Sequence, residues 1–439
     1  MLLPLLSDAD PRVSAEGSID PLGMYAVADA LAVRMIPGVR ERQQHPRFLT
    51  SIAVSLALTS EFDDENVASD GISEPWQVFE WHVVEGMVRT TKESKLLRGL
   101  PGQDKASRAI KNKAPLSAKW YLKTPTVFGF HGVYRALARD VEVELANRLG
   151  DTGYALITTW EAEQGLNGFC GSQSGPGKAT RQRLVDAIKD GLATGAVARS
   201  PGWAGWQFFS DHLGVYNAGK REARLIGQAL LNPSSGYRKE LFGSLVSPEG
   251  QAVWARQSES KSPSERRFHE VLLRTASPGL RDLLLAIDMY ERFCRLLQDA
   301  FDDCLWRLSH YQQRIQAGEL AKLKGVTTAA KGIPHIFAET AERLSPFGEA
   351  VRFQESFSVL AERVTVLEWL ERLLEHHCRV QYNKPPTGKA PWFDRFDDGS
   401  RMIRTGYIRD VGGRYDDAYV HAYRTASLWS FACDLGMVN

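Results

Sequence analysis

Apolar residues recur every three or four positions along much of the chain, the spacing that aligns side chains on one face of an α-helix. The longest such run extends from Leu280 to Tyr311 in unbroken steps of three and four, and it predicts a helix with a heptad seam. A second stripe extends from Phe353 to Leu374. Because the intervening segment contains Gly332 and Pro334, we expect the two helices to form a long antiparallel pair. A dimeric coiled coil is the alternative.

The same periodicity predicts further helices and few strands. Residues 74–89, 104–113 and 127–141 each carry a helical pattern, and a short strand and turn are expected after the third. Near the end of the chain, "FDRFDDGSRMIRTGYI" predicts a small hairpin that turns at Asp398-Gly399. We therefore predict a mainly α, multi-domain helical protein with a long antiparallel helix pair and a small C-terminal β-hairpin.

A chain of 439 residues is longer than one hydrophobic core usually serves, which predicts roughly two to four domains. The glycine-rich stretch "GSQSGPGK" is the clearest linker by composition. The predicted regions are an N-terminal helical region (1–70), a basic domain (72–170), a helical domain (176–270), the long helix pair (277–380) and a C-terminal hairpin and helix (381–439).

Charge is distributed unevenly along the chain. The whole sequence has a net charge of +1, but between Thr91 and Arg139 there are eleven Lys and Arg residues and two acidic residues. This segment therefore carries +9 and the rest of the chain −8. Such a concentration of positive charge is typical of a surface that contacts a polyanion, and a solvated helical face is the alternative.

The helix predicted over 127–141 has a polar stripe within this basic segment. Phe130 and Leu137 are expected to face inward together with Val127, whereas His131, Arg135 and Arg139 are spaced four apart and are expected to share an outer face. Arginines presented in that way can read guanine in a major groove. The predicted nucleic-acid-binding residues are Lys105, Arg108, Lys111, Lys113, Lys119, Lys123, His131, Arg135 and Arg139.

The order of elements over about 74–165 resembles a winged helix-turn-helix domain. Residues 74–89 correspond to its first helix, 104–113 to its second and 127–141 to its recognition helix. The stretch "VEVELANRLGDTGYALITTWEAE" then supplies the wing and a closing helix. The resemblance implies an internal winged-helix-like unit that contacts DNA or a protein partner.

The stretches that come near to enzyme motifs are each incomplete. "SGPGKAT" lacks the spacing of a phosphate-binding loop and has Ala179 where Ser or Thr is needed. His376, His377 and Cys378 are consecutive on a predicted helix and cannot converge on one ion. Asp302 and Asp303 are expected to be helix-surface residues. We predict no catalytic residue, no metal site and no cofactor.

Two features bear on the compartment. The five cysteines are scattered, odd in number and contain no CxxC pair, which predicts a reducing cytoplasm rather than a disulfide framework. The N-terminal sequence has no basic region of the kind that begins a signal peptide, and no stretch approaches 18 apolar residues. We expect a cytoplasmic protein without a membrane partner.

Aromatic residues cluster in "PGWAGWQFFSDHL" at 201–213. The simpler interpretation is a hydrophobic plug between helical domains. The alternative is a surface on which bases stack or a partner docks.

These observations favour a non-catalytic role. The predicted function is a DNA- or RNA-binding or adaptor subunit of a larger cytoplasmic assembly, with other protein subunits as partners, in a setting such as bacterial DNA processing or anti-phage defence. A protein-interaction scaffold without nucleic-acid contact is one alternative, and a divergent metal-dependent nuclease with dispersed carboxylates is the other.

Overall fold

A computed structural model describes residues 20–63, 66–171, 174–231, 236–259, 265–311, 314–385 and 387–438. These residues form nineteen α-helices and two antiparallel two-stranded hairpins. The mainly α prediction is confirmed. The predicted structure of residues 1–19, and of Ser172 and Gln173 in the predicted linker, lies outside the described residues.

The helices in chain order are α1 (Tyr25–Met35), α2 (Phe48–Thr59), α3 (Pro75–Thr90), α4 (Gln103–Lys111), α5 (Pro125–Phe128), α6 (Phe130–Asp140), α7 (Asp151–Glu163), α8 (Pro176–Thr194), α9 (Trp206–Leu213), α10 (Lys220–Leu230), α11 (Arg238–Leu245), α12 (Pro248–Glu259), α13 (Glu265–Leu272), α14 (Pro278–Tyr311), α15 (Ala317–Leu320), α16 (Lys324–Leu344), α17 (Ala350–Ala361), α18 (Val366–Tyr382) and α19 (Ala426–Asp434). The strands are β1 (Glu144–Leu145), β2 (Arg148–Leu149), β3 (Phe393–Arg395) and β4 (Arg401–Ile403).

The described chain divides into two compact units, and each is assembled from separate stretches of sequence. The central unit comprises residues 33–254 and 423–438, and the bundle unit comprises residues 20–32 and 255–422. This division is coarser than the five regions expected from the sequence, which remain a prediction.

Helix α2 forms the middle of the central unit. Its sequence, "FLTSIAVSLALT", has no charged residue, and every residue from Phe48 to Leu58 is buried. A helix without a polar face needs neighbours on all sides, and α3, α6, α7 and α8 pack around it. Phe48 stacks on Phe130 with ring centroids 5.3 Å apart and lies 5.1 Å from the ring of Tyr134. These contacts fix α6 on the core.

The heptad helix α14 is the longest element of the bundle unit, and its seam is buried as predicted. Its antiparallel partner is α16, which lies in the segment expected to be a connection. Gly325 lies against Asp299, and Phe337 lies 6.3 Å from Phe293, so the two helices run in opposite directions. Packing overrides the low helix propensity of Gly332, where an added Cβ would lie 3.0 Å from Leu296.

The helix expected over the second apolar stripe is wrong as a single element, because it is divided into α17 and α18. Glu362 adopts an extended backbone with ψ of 140°, which ends α17. Thr365 then begins α18 by accepting a hydrogen bond from the amide of Glu368 at 3.2 Å. The change of direction leaves Leu367 exposed, whereas Phe353 and Leu374 are buried.

Acidic residues of α14 hold the segment that follows the C-terminal hairpin. Asp303 accepts hydrogen bonds from the amide of Gly413 at 2.9 Å, the amide of Gly325 at 2.8 Å and the hydroxyl of Tyr415. Asp299 accepts from the amides of Arg414 and Tyr415. The expectation that Asp303 is a helix-surface residue is therefore wrong, because its buried carboxylate accepts hydrogen bonds from two backbone amides and one side-chain hydroxyl.

The predicted C-terminal hairpin is confirmed. Strands β3 and β4 pair Phe393 with Ile403 and Arg395 with Arg401. Gly399 has a φ of +77°, a conformation that glycine adopts without strain, in the predicted turn.

The seam of α14 gives a direct test of the packing. Leu297→Ala should lower the free energy of unfolding by about 2–5 kcal/mol, because Leu297 is fully buried and the substitution leaves a cavity. Leu285→Ala, the same change on the same helix at a position that is 36% exposed, should cost less than about 1 kcal/mol. Urea denaturation measures both, and equal costs would contradict the buried seam.

Candidate nucleic-acid interface

Helix α4 presents positive charge on one face and packs with the other. Ala106 and Ala109 are buried, whereas Arg108 and Lys111 are exposed. The helix starts after Gly102, whose φ of +81° brings the backbone against Tyr121. A Cβ at this glycine would lie 2.4 Å from the Tyr121 ring, so the close approach requires glycine.

The segment after α4 carries further exposed cations. Lys113, Lys119 and Lys123 are exposed, and Lys105 on α4 is half-buried. We call the following six residues the cationic patch: Lys105, Arg108, Lys111, Lys113, Lys119 and Lys123. Within the part of the chain that the structure describes, none of these six side chains forms an ion pair with a carboxylate. The positive charge of the patch is therefore not neutralised by salt bridges.

The predicted recognition helix is shorter than expected. It begins at Phe130 rather than Val127, since α5 ends at Phe128 and Gly129 is extended. Val127 is consequently exposed, which contradicts its predicted inward position, whereas Phe130 and Leu137 are buried as predicted.

Glu80 of α3 determines where α6 begins. Its buried carboxylate accepts the amide of His131 at 2.9 Å and the hydroxyl of Tyr121 at 2.8 Å. A Cβ at Gly129 would lie 1.9 Å from Glu80 Oε1, so only glycine fits between the carboxylate and α5. Burial raises the pKa of Glu80 to about 7, although the hydrogen bonds oppose that change.

His131 does not share an outer face with the arginines, so that part of the prediction is wrong. Its side chain is buried, with 3% of the residue exposed, and its ring stacks on Trp76 with centroids 4.7 Å apart. Burial lowers the pKa of His131 to about 3, and the charges of Arg135 and Arg139 act in the same direction. The ring is therefore neutral near pH 7.

Arg135 and Arg139 both bind the buried carboxylate of Glu144. The distances to Oε1 are 2.9 Å from Arg135 Nε and 3.0 Å from Arg139 Nη2. Arg135 also donates to Asn147, which has a φ of +63° in the turn between β1 and β2. The side chains remain 31% and 53% exposed, respectively. Their first role is to fasten the hairpin to α6, and their use in base reading stays a prediction.

The aromatic cluster at 201–213 belongs to the core of the central unit. Trp206, Phe208 and Phe209 are buried, and α9 packs on α3. Phe209 lies directly over Gly86, where a Cβ would be 2.4 Å from its ring. These residues fill a core, which leaves Trp203 as the half-buried member of the cluster.

The histidines and the aspartate Asp303 considered as metal ligands form hydrogen bonds to backbone groups instead. His376 and His377 bond to the carbonyl oxygens of Leu22 and Pro21. No group of three or more metal-binding side chains converges anywhere in the described ranges. Among the helices that the structure describes, none combines the length and the apolar character needed to cross a bilayer.

A cavity lies in the bundle unit between α18 and the C-terminal hairpin. Its volume is about 700 Å³, and its lining includes Arg379, Arg395, Arg401 and Arg404. Three of these arginines are paired: Arg401 with Glu371, Arg404 with Asp394, and Arg395 loosely with Glu375. The cavity is therefore much closer to neutral than its arginine content suggests.

Comparison with known proteins finds no matching family model, no matching curated protein and no matching solved structure.

Glu80 and Glu144, two acidic residues that bind α6, are not among the site residues predicted from the sequence. A signal exists for Glu80, which interrupts the apolar run "WQVFEWHVV" at a position where a buried side chain is expected. None exists for Glu144, because its alternation with valines in "VEVEL" predicts that the glutamate faces solvent.

Arg135→Ala tests whether Arg135 holds the β1–β2 hairpin against α6. The substitution leaves Glu144 buried with one arginine, so the free energy of unfolding should fall by about 1–3 kcal/mol. Arg148→Ala, an exposed arginine of the same hairpin, should cost less than about 0.5 kcal/mol. Chemical denaturation followed by tryptophan fluorescence measures both, and a neutral Arg135→Ala would contradict the role.

The burial of His131 predicts how stability depends on pH. Because its folded pKa is lowered from 6.5 to about 3, the neutral ring favours the folded state above pH 6.5, and this contribution is lost as the pH falls toward 3. His131→Phe keeps a ring against Trp76 without titrating. Its free energy of unfolding should therefore decline less steeply than that of the wild type between pH 6.5 and about 4.

The control for this titration is His335→Phe, the same substitution at an exposed position of α16. Urea denaturation across the pH series gives the slope for each protein. Equal slopes for the two variants would show that His131 does not titrate with folding.

Proposed function

We propose that the central unit binds the phosphate backbone of a nucleic acid through the cationic patch, and that the protein is a non-catalytic nucleic-acid-binding or adaptor subunit of a cytoplasmic assembly. The observation that carries the proposal is the absence, within the described residues, of carboxylate partners for the six cations of the patch. Lysine and arginine side chains that neutralise the phosphates of a nucleic acid release its bound counterions, which supplies affinity and makes that affinity depend on salt.

The contrast within the basic segment supports this assignment. Arg135 and Arg139 are held by Glu144, whereas Arg108 and Lys111 on α4 are exposed and have no carboxylate partner among the described residues. Glu144 pairs with both arginines of α6, whereas the one acid of α4, Asp104, forms no ion pair with a patch residue within the described part of the chain.

The arrangement of elements is compatible with the resemblance noted in the sequence. Helices α3, α4 and α6 are followed by the β1–β2 hairpin and α7, in the order expected of a winged helix-turn-helix domain. The proposal places the main contact on α4 and residues 113–123 rather than on α6. The five free cysteines are consistent with a reducing cytoplasm.

The test removes three exposed charges from the patch. A variant with Arg108→Ala, Lys111→Ala and Lys123→Ala should bind duplex DNA and RNA more weakly, with the fold retained. The slope of log affinity against log salt should fall by up to about 0.9 for each phosphate that the variant no longer neutralises. Fluorescence anisotropy over a range of salt concentrations measures affinity and slope together.

A matched control removes two lysines and one arginine from the exposed face of α8, at Lys178, Arg183 and Lys189. This variant has the same net charge as the patch variant. An equal loss of affinity in both would mean that bulk charge, not the patch, drives binding. Unchanged binding by the patch variant would sink the proposal and favour an acidic protein as the partner.

A further inference from the structure

A cavity of about 390 Å³ lies in the central unit beside α6. Its walls come from the end of α2, the start of α3, α6, the β1–β2 hairpin and the first turn of α7. The lining residues that matter here are Trp76, His131, Arg148 and Tyr154. A space of this size is at the lower end of the range that holds small ligands, which suits one planar ring system.

His131, which lines this cavity, has no hydrogen-bond partner for its side chain among the described residues. Neither of its ring nitrogens has one in the structure, although the side chain is almost fully buried. Buried polar atoms are nearly always paired, so an unpaired imidazole that borders a cavity needs an explanation. A ligand entering the cavity could supply the missing partner after a small shift of the ring.

The protonation state of His131 limits what that partner can be. Because burial lowers its pKa to about 3, the ring is neutral and has one donor and one acceptor nitrogen. A simple anion offers acceptors alone. The edge of a nucleobase offers both donors and acceptors, which matches a neutral imidazole.

The remaining walls favour an aromatic ring attached to a phosphate. Trp76 stacks on His131 and donates its indole N–H to Glu74 at 2.8 Å, so its orientation is fixed. Tyr154 is a large aromatic side chain exposed at the edge of the cavity. Arg148 is exposed and, among the described residues, has no carboxylate partner. The acids Asp63 and Glu74 at the rim disfavour a free multivalent anion.

We propose that this cavity receives one unpaired base of the nucleic acid that the cationic patch holds, with Tyr154 and Trp76 as the aromatic surfaces, His131 as the hydrogen-bonding group and Arg148 as a contact to the adjoining phosphate. The inference rests on the proposed function, and it adds that the protein prefers nucleic acid with unpaired bases. Stacking on aromatic side chains tolerates any base, so the preference is for single strands rather than for a sequence.

The experiment compares two oligomers with the same number of phosphates. One is a short single-stranded oligoadenylate, and the other is the matching oligomer in which every nucleotide is abasic. The wild type should bind the oligoadenylate roughly 5- to 150-fold more tightly, the range expected for one stacked base. Fluorescence anisotropy at one fixed salt concentration measures both.

The variants locate the preference in this cavity. Tyr154→Ala removes an exposed ring and His131→Phe removes the ring nitrogens, and each should reduce the preference for oligoadenylate without changing affinity for the abasic oligomer. Tyr216→Ala removes an exposed tyrosine of the same unit outside this cavity and should keep the preference. Arg148→Ala should weaken the binding of both oligomers.

The ways in which this experiment can fail are distinguishable. If the wild type binds both oligomers equally and the patch variant weakens both, the base cavity is overturned and the proposed function stands. If Tyr154→Ala and His131→Phe both retain the preference, the base binds elsewhere and the cavity is again overturned. If neither oligomer nor a duplex binds, the proposed function fails and the base cavity fails with it.

Discussion

Buried carboxylates that accept backbone hydrogen bonds from another segment are the constraint on which both units depend. In the central unit Glu80 receives the first amides of α6, and in the bundle unit Asp299 and Asp303 receive the amides of residues 413–415. A buried carboxylate without donors would cost several kcal/mol. Segments with little regular structure are therefore fixed where these acids find their donors, and the position of α6 follows from α3.

Pairing with a buried carboxylate also distinguishes the arginines of α6 from the cations of the cationic patch. The structural positions use arginine, whose planar guanidinium can satisfy a buried carboxylate such as Glu144 from a fixed direction. Five of the six residues in the cationic patch are lysines, whose ammonium groups are strongly hydrated and stay at the surface. Arg135 and Arg139 therefore hold the scaffold together, whereas the lysines of the cationic patch and Arg108 leave their positive charge without a carboxylate partner among the described residues.

Periodicity and charge could be read from the sequence because both are local properties. The helical seam of α14, the hairpin at Gly399 and the location of the basic segment all follow from short-range patterns. The partner of α14 could not be predicted, because Gly332 and Pro334 both disfavour a helix locally, whereas α16 contains both and packs on α14 with Gly332 against Leu296. His131 was placed wrongly for a related reason: its end of the α6 face is covered by Trp76, about 55 residues earlier in the chain.

Each unit is completed by a stretch of chain that is remote from most of its sequence, and this has a consequence for biosynthesis. Residues 20–32 leave the ribosome long before residues 255–422, and the central unit receives α19 last of all. The bundle unit cannot be completed before residues 255–422 are made, and the central unit cannot be completed before α19 is made, so partly folded forms persist during synthesis. A fragment cut at residue 254 would lack α19 and would retain 20–32 without the rest of their unit.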